Sequence, residues 1–347
     1  MRRLRKVSNQ GLSAIALVLV GPLLFGSALA ADCSVTSVGF TPVNDLGTGT
    51  YLGFEGGLYP GGSNVRPLGH ENDGVSIAQS IVARDSAGNP DAGGKYVLLS
   101  IGMSNTSREF TALIDRTAID PDIDPNLVVV NGAQGGATAS DWAELSNGVW
   151  PGAEQRLAQQ SVTANQVAVV WLKLAESAGG DTPAAHRVQL QQDIEATIRN
   201  LKVQFPNIEL VYLSSRIYAG YASISLNPEP FAYETGFVVK WIIEKQLGGD
   251  ATLNFDPDAG PVNAPWLSWG PYLWADGEIP RSDGLTWRCE DLDDDGTHPS
   301  DTGRQKVADR LLEFFKSDLT AREWYSAGDV PVDETPPAAP TDLVVEP

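Results

Sequence analysis

Histidine is scarce in this chain, three among 347 residues, and cysteine is scarcer still, with two. Any imidazole chemistry must therefore draw on His70, His186 or His298, and no His/Cys cluster with metal-ligand spacing occurs. Positive charge is also short, 24 Lys and Arg against 44 Asp and Glu, for a formal charge of −20. Such a surface repels phosphate backbones and anionic lipid, which argues against nucleic-acid and membrane-surface partners and leaves neutral substrates or cations. After residue 30 no apolar stretch approaches the ~20 residues that a spanning helix needs.

What is present is globular composition, 42% hydrophobic and 20% charged, with enough Gly and Pro (35 and 23) for long loops. The length fits one large domain or two ordinary ones. Residues 1–30 read as a signal peptide. Arg2, Arg3, Arg5 and Lys6 precede an apolar run from Leu12 to Phe25, and Ala28-Leu29-Ala30 forms a small-residue cleavage site. A membrane anchor is the competing reading, but the run is short and broken by Gly21-Pro22. Asp32, just before Cys33, is not the small residue a lipoprotein would carry there. Cleavage removes four positive charges, so the expected mature protein is soluble, exported and at −24. In an oxidising compartment Cys33 and Cys289 are most simply one disulfide, with two free thiols as the alternative. The bridge would pin the mature N-terminus beside the segment that leads to Asp295 and His298.

Four apolar, β-branched runs read as strands buried on both faces: Tyr96–Ile101, Leu127–Val130, Val167–Leu172 and Ile208–Leu213. Between the last two, Leu190, Ile194, Ile198, Leu201 and Phe205 keep helical spacing over Val188–Phe205. Arg108–Thr117 and Phe231–Leu247 read as further helices. The last helix, capped by Asp301 or Ser300, lines up Val307, Leu311, Leu312, Phe314 and Phe315 through Lys316. Strand–helix alternation of this kind predicts a three-layer α/β domain with a central parallel sheet over residues 95–325. Residues 31–94 are Gly-rich without a strong period, an N-terminal extension that reads as a flap or a small β-elaboration.

In open α/β sheets ligands bind beyond the carboxyl ends of the strands. Four polar groups follow those ends here: Ser104, the Gly135-Gly136 turn, Lys173, and the pair Asp295 and His298 ahead of the last helix. Each has a bland reading, as a helix cap, a plain turn, or surface residues. Of the three histidines, His186 follows a small-residue loop and reads as exposed, and His70 sits in the Gly-rich region. Only His298 has a carboxylate three residues upstream. The run Asp291 to Gly296 also fits the opening of a calcium loop, D-x-D-x-D-G, but the twelfth position is Thr302 rather than an acid. Trp266, Trp269, Tyr272, Trp274 and Trp287 cluster in what reads as loop. They are either sugar-stacking platforms or the filling of a loop-rich core. Arg216, Tyr218 and Tyr221 follow the fourth strand, with a substrate contact and a structural pairing both open.

Taken together, Gly102-Met103-Ser104-Asn105, Gln134-Gly135-Gly136 with Asp141-Trp142, Val170-Trp171, and Asp295-Gly296-Thr297-His298-Pro299 resemble the SGNH (GDSL) hydrolases over roughly residues 95–317. The form is closest to the sialate O-acetylesterase and acetylxylan esterase branch. The resemblance implies a flavodoxin-like α/β/α fold and a secreted serine esterase acting on a small acyl ester, such as acetyl groups on a polysaccharide, with no cofactor or metal. By resemblance Ser104 matches the nucleophile, His298 the base and Asp295 its orienting carboxylate. Ser104, Gly135, Gly136 and Lys173 match the oxyanion site, while Asn105, Gln134, Arg216, Tyr218, Trp269 and Trp274 are candidate substrate contacts. Two positions depart from the family pattern. Met103 replaces an Asp, and Lys173 stands where the family has Asn or Gln. Lys173 then reads as a charged oxyanion donor, as a surface lysine outside the motif, or as a mark of altered catalysis. The alternative to an esterase is a non-catalytic carbohydrate-binding or adhesion protein on the same fold. Phosphoester chemistry lacks a metal-ligand cluster to support it. The tail 326–347 is a Pro-rich linker that resembles the opening of a fibronectin type III module, or else a disordered end.

Overall fold

The computed structural model describes residues 30–177 and 182–327, so the signal-peptide reading of the N-terminus and nearly all of the Pro-rich tail lie outside the described residues. Five strands form one parallel sheet: β1 (Tyr96–Gly102), β2 (Leu127–Asn131), β3 (Val167–Lys173), β4 (Leu210–Leu213) and β5 (Trp266–Trp269). Their spatial order is β2-β1-β3-β4-β5, all parallel. This is the flavodoxin-like order, and its direction reverses between β1 and β3. Every residue of β1, β3, β4 and β5 is buried, which is why the first three of these read as unbroken apolar runs rather than alternating ones.

Seven helices of five residues or more are described: α1 (Leu68–Ser80), α2 (Ser104–Thr117), α3 (Ala139–Ala143), α4 (Val149–Gln159), α5 (Pro183–Gln204), α6 (Phe231–Leu247) and α7 (Asp301–Ser317). Helices α2 and α7 pack together on one face, with α1 joined to them through a short helix, Arg322–Tyr325. Helices α3, α5 and α6 form the other layer. Helix α7 is capped by Ser300, whose hydroxyl accepts the Gly303 N–H, and it buries Val307, Leu311 and Phe315. Helix α5 starts at Pro183, behind a Thr182 cap, five residues earlier than its apolar spacing indicates. No helix among the described residues is long and apolar enough to cross a membrane.

Strand β5 and helix α1 depart from the sequence reading. Trp266–Trp269, which reads as loop, is the fifth strand, paired in register with Leu210–Leu213. It is four residues long, tryptophan at both ends, and followed by Gly270-Pro271, so it carries little strand signal of its own. The N-terminal extension is a small hairpin (Thr50–Tyr51 with Phe54–Glu55) followed by α1. Helix α1 buries only His70, Gly74 and Ala78, too small a face to show helical periodicity. At Gly74 an added Cβ would lie 2.4 Å from the Trp266 ring, so glycine is what lets α1 approach β5. Hairpin and preceding chain lie on α6, where Phe40, Tyr51 and Phe54 pack on the rings of Tyr233, Phe237 and Trp241.

Cys33 and Cys289 form a disulfide. Beside it, the Ala31 N–H donates to the Asp294 carbonyl at 2.5 Å and the Asp32 N–H to the Tyr221 carbonyl at 3.0 Å. The start of the described chain is thus laid against the loop that carries Asp295 and His298.

Candidate active site

Strand β1 runs through Gly102 into Met103, and α2 begins at Ser104. A side chain at Gly102 would bring its Cβ within 2.3 Å of Thr106 Oγ1 and 2.4 Å of the Lys173 carbonyl, so this crossing of strand and helix admits only glycine. Met103, in extended conformation, is the N-cap residue, and Ser104 is not a cap. Its hydroxyl instead donates to His298 Nε2 at 2.7 Å. As the first residue of a helix, Ser104 has a backbone N–H with no intrahelical acceptor.

His298 reaches Ser104 from a tight loop between Asp293 and Pro299. The Asp293 N–H donates to the His298 carbonyl at 2.8 Å and the Gly296 N–H to the Asp293 carbonyl at 2.8 Å. Gly296 has φ +64, and a Cβ there would meet the Tyr221 carbonyl at 2.1 Å. The Nδ1–H of His298 donates to Asp295 Oδ2 at 2.5 Å, and Asp295 Oδ1 accepts the Thr297 and His298 N–H groups at 2.9 Å each. Burial alone would raise the Asp295 carboxyl, but these bonds, with His298 first among them, hold it below the usual carboxylate range. A carboxylate fixed in this way selects the tautomer with hydrogen on Nδ1, which leaves Nε2 free to take the serine proton. Ser104, His298 and Asp295 are thus joined at the carboxyl edge of the sheet, where the strand order reverses.

Of the expected oxyanion groups, Gly135 lies beside the serine, its added Cβ falling 4.0 Å from the Ser104 Cβ, whereas a Cβ on Gly136 would meet nothing within 4 Å. Both are exposed, in a turn closed by the Ala137 N–H on the Gln134 carbonyl. Lys173 corrects the sequence reading. Neither a surface residue nor a free donor, it is 1% exposed and gives its ammonium to both oxygens of Glu109, at 2.5 and 2.6 Å. Burial pushes Glu109 up and Lys173 down to about 8, each shift opposed by the other partner. Nothing in the sequence singles out Glu109; only the fold brings it to Lys173 across 64 residues.

Most of the expected substrate contacts are also corrected. Asn105 is buried and its amide donates to the Thr297 carbonyl, tying α2 to the histidine loop. The Gln134 amide donates to the Val149 carbonyl on α4. Tyr218, Trp269 and Trp274 are core residues at 0%, 3% and 0% exposure, bonded to the Val35 carbonyl, the Leu58 carbonyl and the Glu229 carboxylate. The aromatic cluster fills a loop-rich core, where each of these polar ring atoms finds an acceptor. Arg216 is 4% exposed, and its Nε and Nη2 have no hydrogen-bond partner among the described residues. Burial lowers the guanidinium, opposed by the charges of Glu109, Glu229 and Asp295. His186 is also buried, against Phe231, and His70 bonds the Leu267 carbonyl and stacks on Trp266.

The alternate carboxylates of the D-x-D-x-D-G run do not converge. Asp291 pairs with Lys306, Asp293 with Arg108 and Asp295 with His298.

No protein-family model matches this chain, and no curated protein matches it. Solved structures do match. One is a GDSL-like lipase from Bacteroides thetaiotaomicron, 9% identical over 70% of this chain and 95% of that one, with a TM-score of 0.36. Another is the periplasmic domain of a lipopolysaccharide acetyltransferase from Salmonella ser. Paratyphi A, 12% identical over 63% and 83%, TM-score 0.34. A third is a mutant of an acetyl esterase with acetate ion, 14% identical over 62% and 94%, TM-score 0.34. At TM-scores this low the functional reading rests on the geometry above.

Proposed function

We propose that this protein is an exported serine esterase of SGNH type that hydrolyses a small acyl ester through an acyl-enzyme. The observation that carries the reading is the continuous chain from the Ser104 hydroxyl to His298 Nε2 (2.7 Å) and from His298 Nδ1 to Asp295 (2.5 Å). A serine hydroxyl is a poor nucleophile until a neighbouring imidazole accepts its proton. Ser104 Oγ attacks the ester carbonyl as its proton passes to His298 Nε2, and Asp295 stabilises the imidazolium that results. The tetrahedral oxyanion is held by the backbone N–H groups of Ser104 and Gly135; removing one such donor in other enzymes raises the barrier by about 3–4 kcal/mol. Collapse breaks the bond to the alcohol, which leaves with the proton from His298. Water then attacks the acyl-enzyme, giving its proton to the same nitrogen, and the acid is released as Ser104 recovers its hydrogen.

With Lys173 held by Glu109, both donors are backbone groups, in place of the side-chain donor that the resemblance implied. Carbohydrate O-acetyl groups remain the substrate class the resemblance favours, and the signal peptide of residues 1–30 accounts for an oxidised Cys33–Cys289 bridge. The test is hydrolysis of an aryl acetate with and without chelator, in wild type and in Ser104→Ala. Turnover that survives chelator and disappears in the variant is expected. Equal turnover in both proteins contradicts the assignment.

A further inference from the structure

Resting on that reading, we infer that the sealed Glu109–Lys173 pair positions Ser104, making Glu109 and Lys173 positioning residues for the reaction. Lys173 is the last residue of β3 and lies opposite Gly102, two residues before the serine. From there it holds α2 at two points. Its carbonyl accepts the Thr106 hydroxyl at 2.8 Å, and its ammonium donates to both oxygens of Glu109. Thr106 and Glu109, at 1% and 0% exposure, fall within the first turn and a half of the helix.

That grip matters because α2 begins without a side-chain cap: the Met103 carbonyl accepts the Ser107 N–H, but its side chain bonds none of the first-turn N–H groups. A Ser, Thr, Asp or Asn at that position ordinarily fixes where a helix starts. Here the start is fixed from outside, by Lys173 on the sheet side and by the Asn105 amide on the Thr297 carbonyl. Stability does not explain the pair, since well-packed apolar residues of similar volume generally serve a buried site as well or better. Geometry does. In the proposed mechanism both oxyanion donors are backbone N–H groups, and one of them belongs to Ser104. Any drift of the first turn of α2 therefore displaces nucleophile and donor together, and misplacement by ~1 Å can lower a rate by about a hundredfold.

The pair is also poorly placed to act directly. Neither side chain is open to a substrate, and the ammonium is already shared by two carboxylate oxygens. The guanidinium of Arg216 also acts on Glu109, without a hydrogen bond.

The experiment is the double variant Glu109→Leu with Lys173→Met, which keeps roughly the volume and removes both charges. Circular dichroism and Tm establish that it folds. We expect kcat for an aryl acetate to fall at least tenfold with KM within twofold of wild type, and the rate of inactivation by a fluorophosphonate to fall in step. A pair that serves folding alone would leave kcat of the folded enzyme at the wild-type value, and that result overturns the inference. Should the apolar pair not yield folded protein, Glu109→Val with Lys173→Leu, which likewise retains neither charge nor hydrogen bond, takes the same test against the same criterion. Absence of turnover and of labelling in wild type itself would count against the esterase reading instead, so the two failures are separable.

Discussion

Two pairs of base and carboxylate flank the start of α2, and solvent reaches only one of them. In His298–Asp295 the side chains are 16% and 30% exposed; in Lys173–Glu109 they are 1% and 0% exposed. Both are short and both meet α2, one at Ser104 and the other at Glu109. The difference lies in what each can do with a proton. The open pair ends on a hydroxyl at the edge of the sheet, and in the proposed mechanism that hydroxyl attacks an ester while the imidazole takes the hydrogen. Charge in the sealed pair has nowhere to go, and what it supplies is a fixed separation between strand end and helix. A Lys–Glu contact and a His–Asp contact thus look alike as ion pairs and differ in function because of burial.

The largest effect comes from breaking the open pair. Ser104→Ala or His298→Ala is expected to lower kcat/KM for an aryl acetate by ~10³-fold or more with CD and Tm near wild type, since removing a triad member typically leaves only what binding and the oxyanion donors provide. Asp295→Asn should cost a comparable factor by favouring the wrong tautomer, again about 10³-fold. It has a stability signature as well. The Asp295 carboxyl sits below its ordinary value of 3.8 in the folded protein, so its contribution is present above that pH and is lost as pH falls through the folded value. Melting curves from neutral to acid pH should therefore show the wild-type advantage over Asp295→Asn narrowing below about pH 4.

Breaking the sealed pair on one side only should act on stability first. Lys173→Met leaves Glu109 buried without its cation, and a loss of about 3–5 kcal/mol in denaturant unfolding is expected. The apolar double variant should recover most of that loss, whereas its kcat should not recover.

The smallest predicted effect involves a third carboxylate, Glu229, which has no cation bonded to it among the described residues. Burial pushes it up to about 7, opposed by hydrogen bonds from Trp274 Nε1 and the Ala219 and Tyr233 N–H groups. A raised carboxyl means that the folded state holds its proton longer than the unfolded chain does. Its contribution is complete below the ordinary value of 4.5 and declines as pH rises to about 7. Tm of wild type should fall over that window, and the fall should be shallower in Glu229→Gln.

Much of this comparison could be read before any coordinates. Four of the five strands announced themselves because a parallel sheet covered on both faces needs unbroken apolar runs, and Ser104, Asp295 and His298 stood out because local sequence order carries them to one edge. What could not be read depended on distant contacts. Trp266–Trp269 becomes a strand only because Leu210–Leu213 offers it a partner, and α1 is a helix whose buried face is little more than a glycine on a tryptophan. Tryptophans in a Gly- and Pro-rich stretch read either as sugar platforms or as core filling until the backbone carbonyls that accept their indole N–H groups are known. Lys173 is the sharpest case. Its position after a strand at the catalytic edge was legible, but its partner Glu109 was not, and without that partner its role reads in three different ways.

In the proposed mechanism Ser104 is activated by His298 and Asp295. Intact-mass spectrometry of the disulfide-bonded protein after exposure to a fluorophosphonate tests it most directly, with Ser104→Ala alongside. One adduct on wild type and none on the variant is the predicted result. An unmodified wild-type protein, or an adduct that persists in Ser104→Ala, would contradict it.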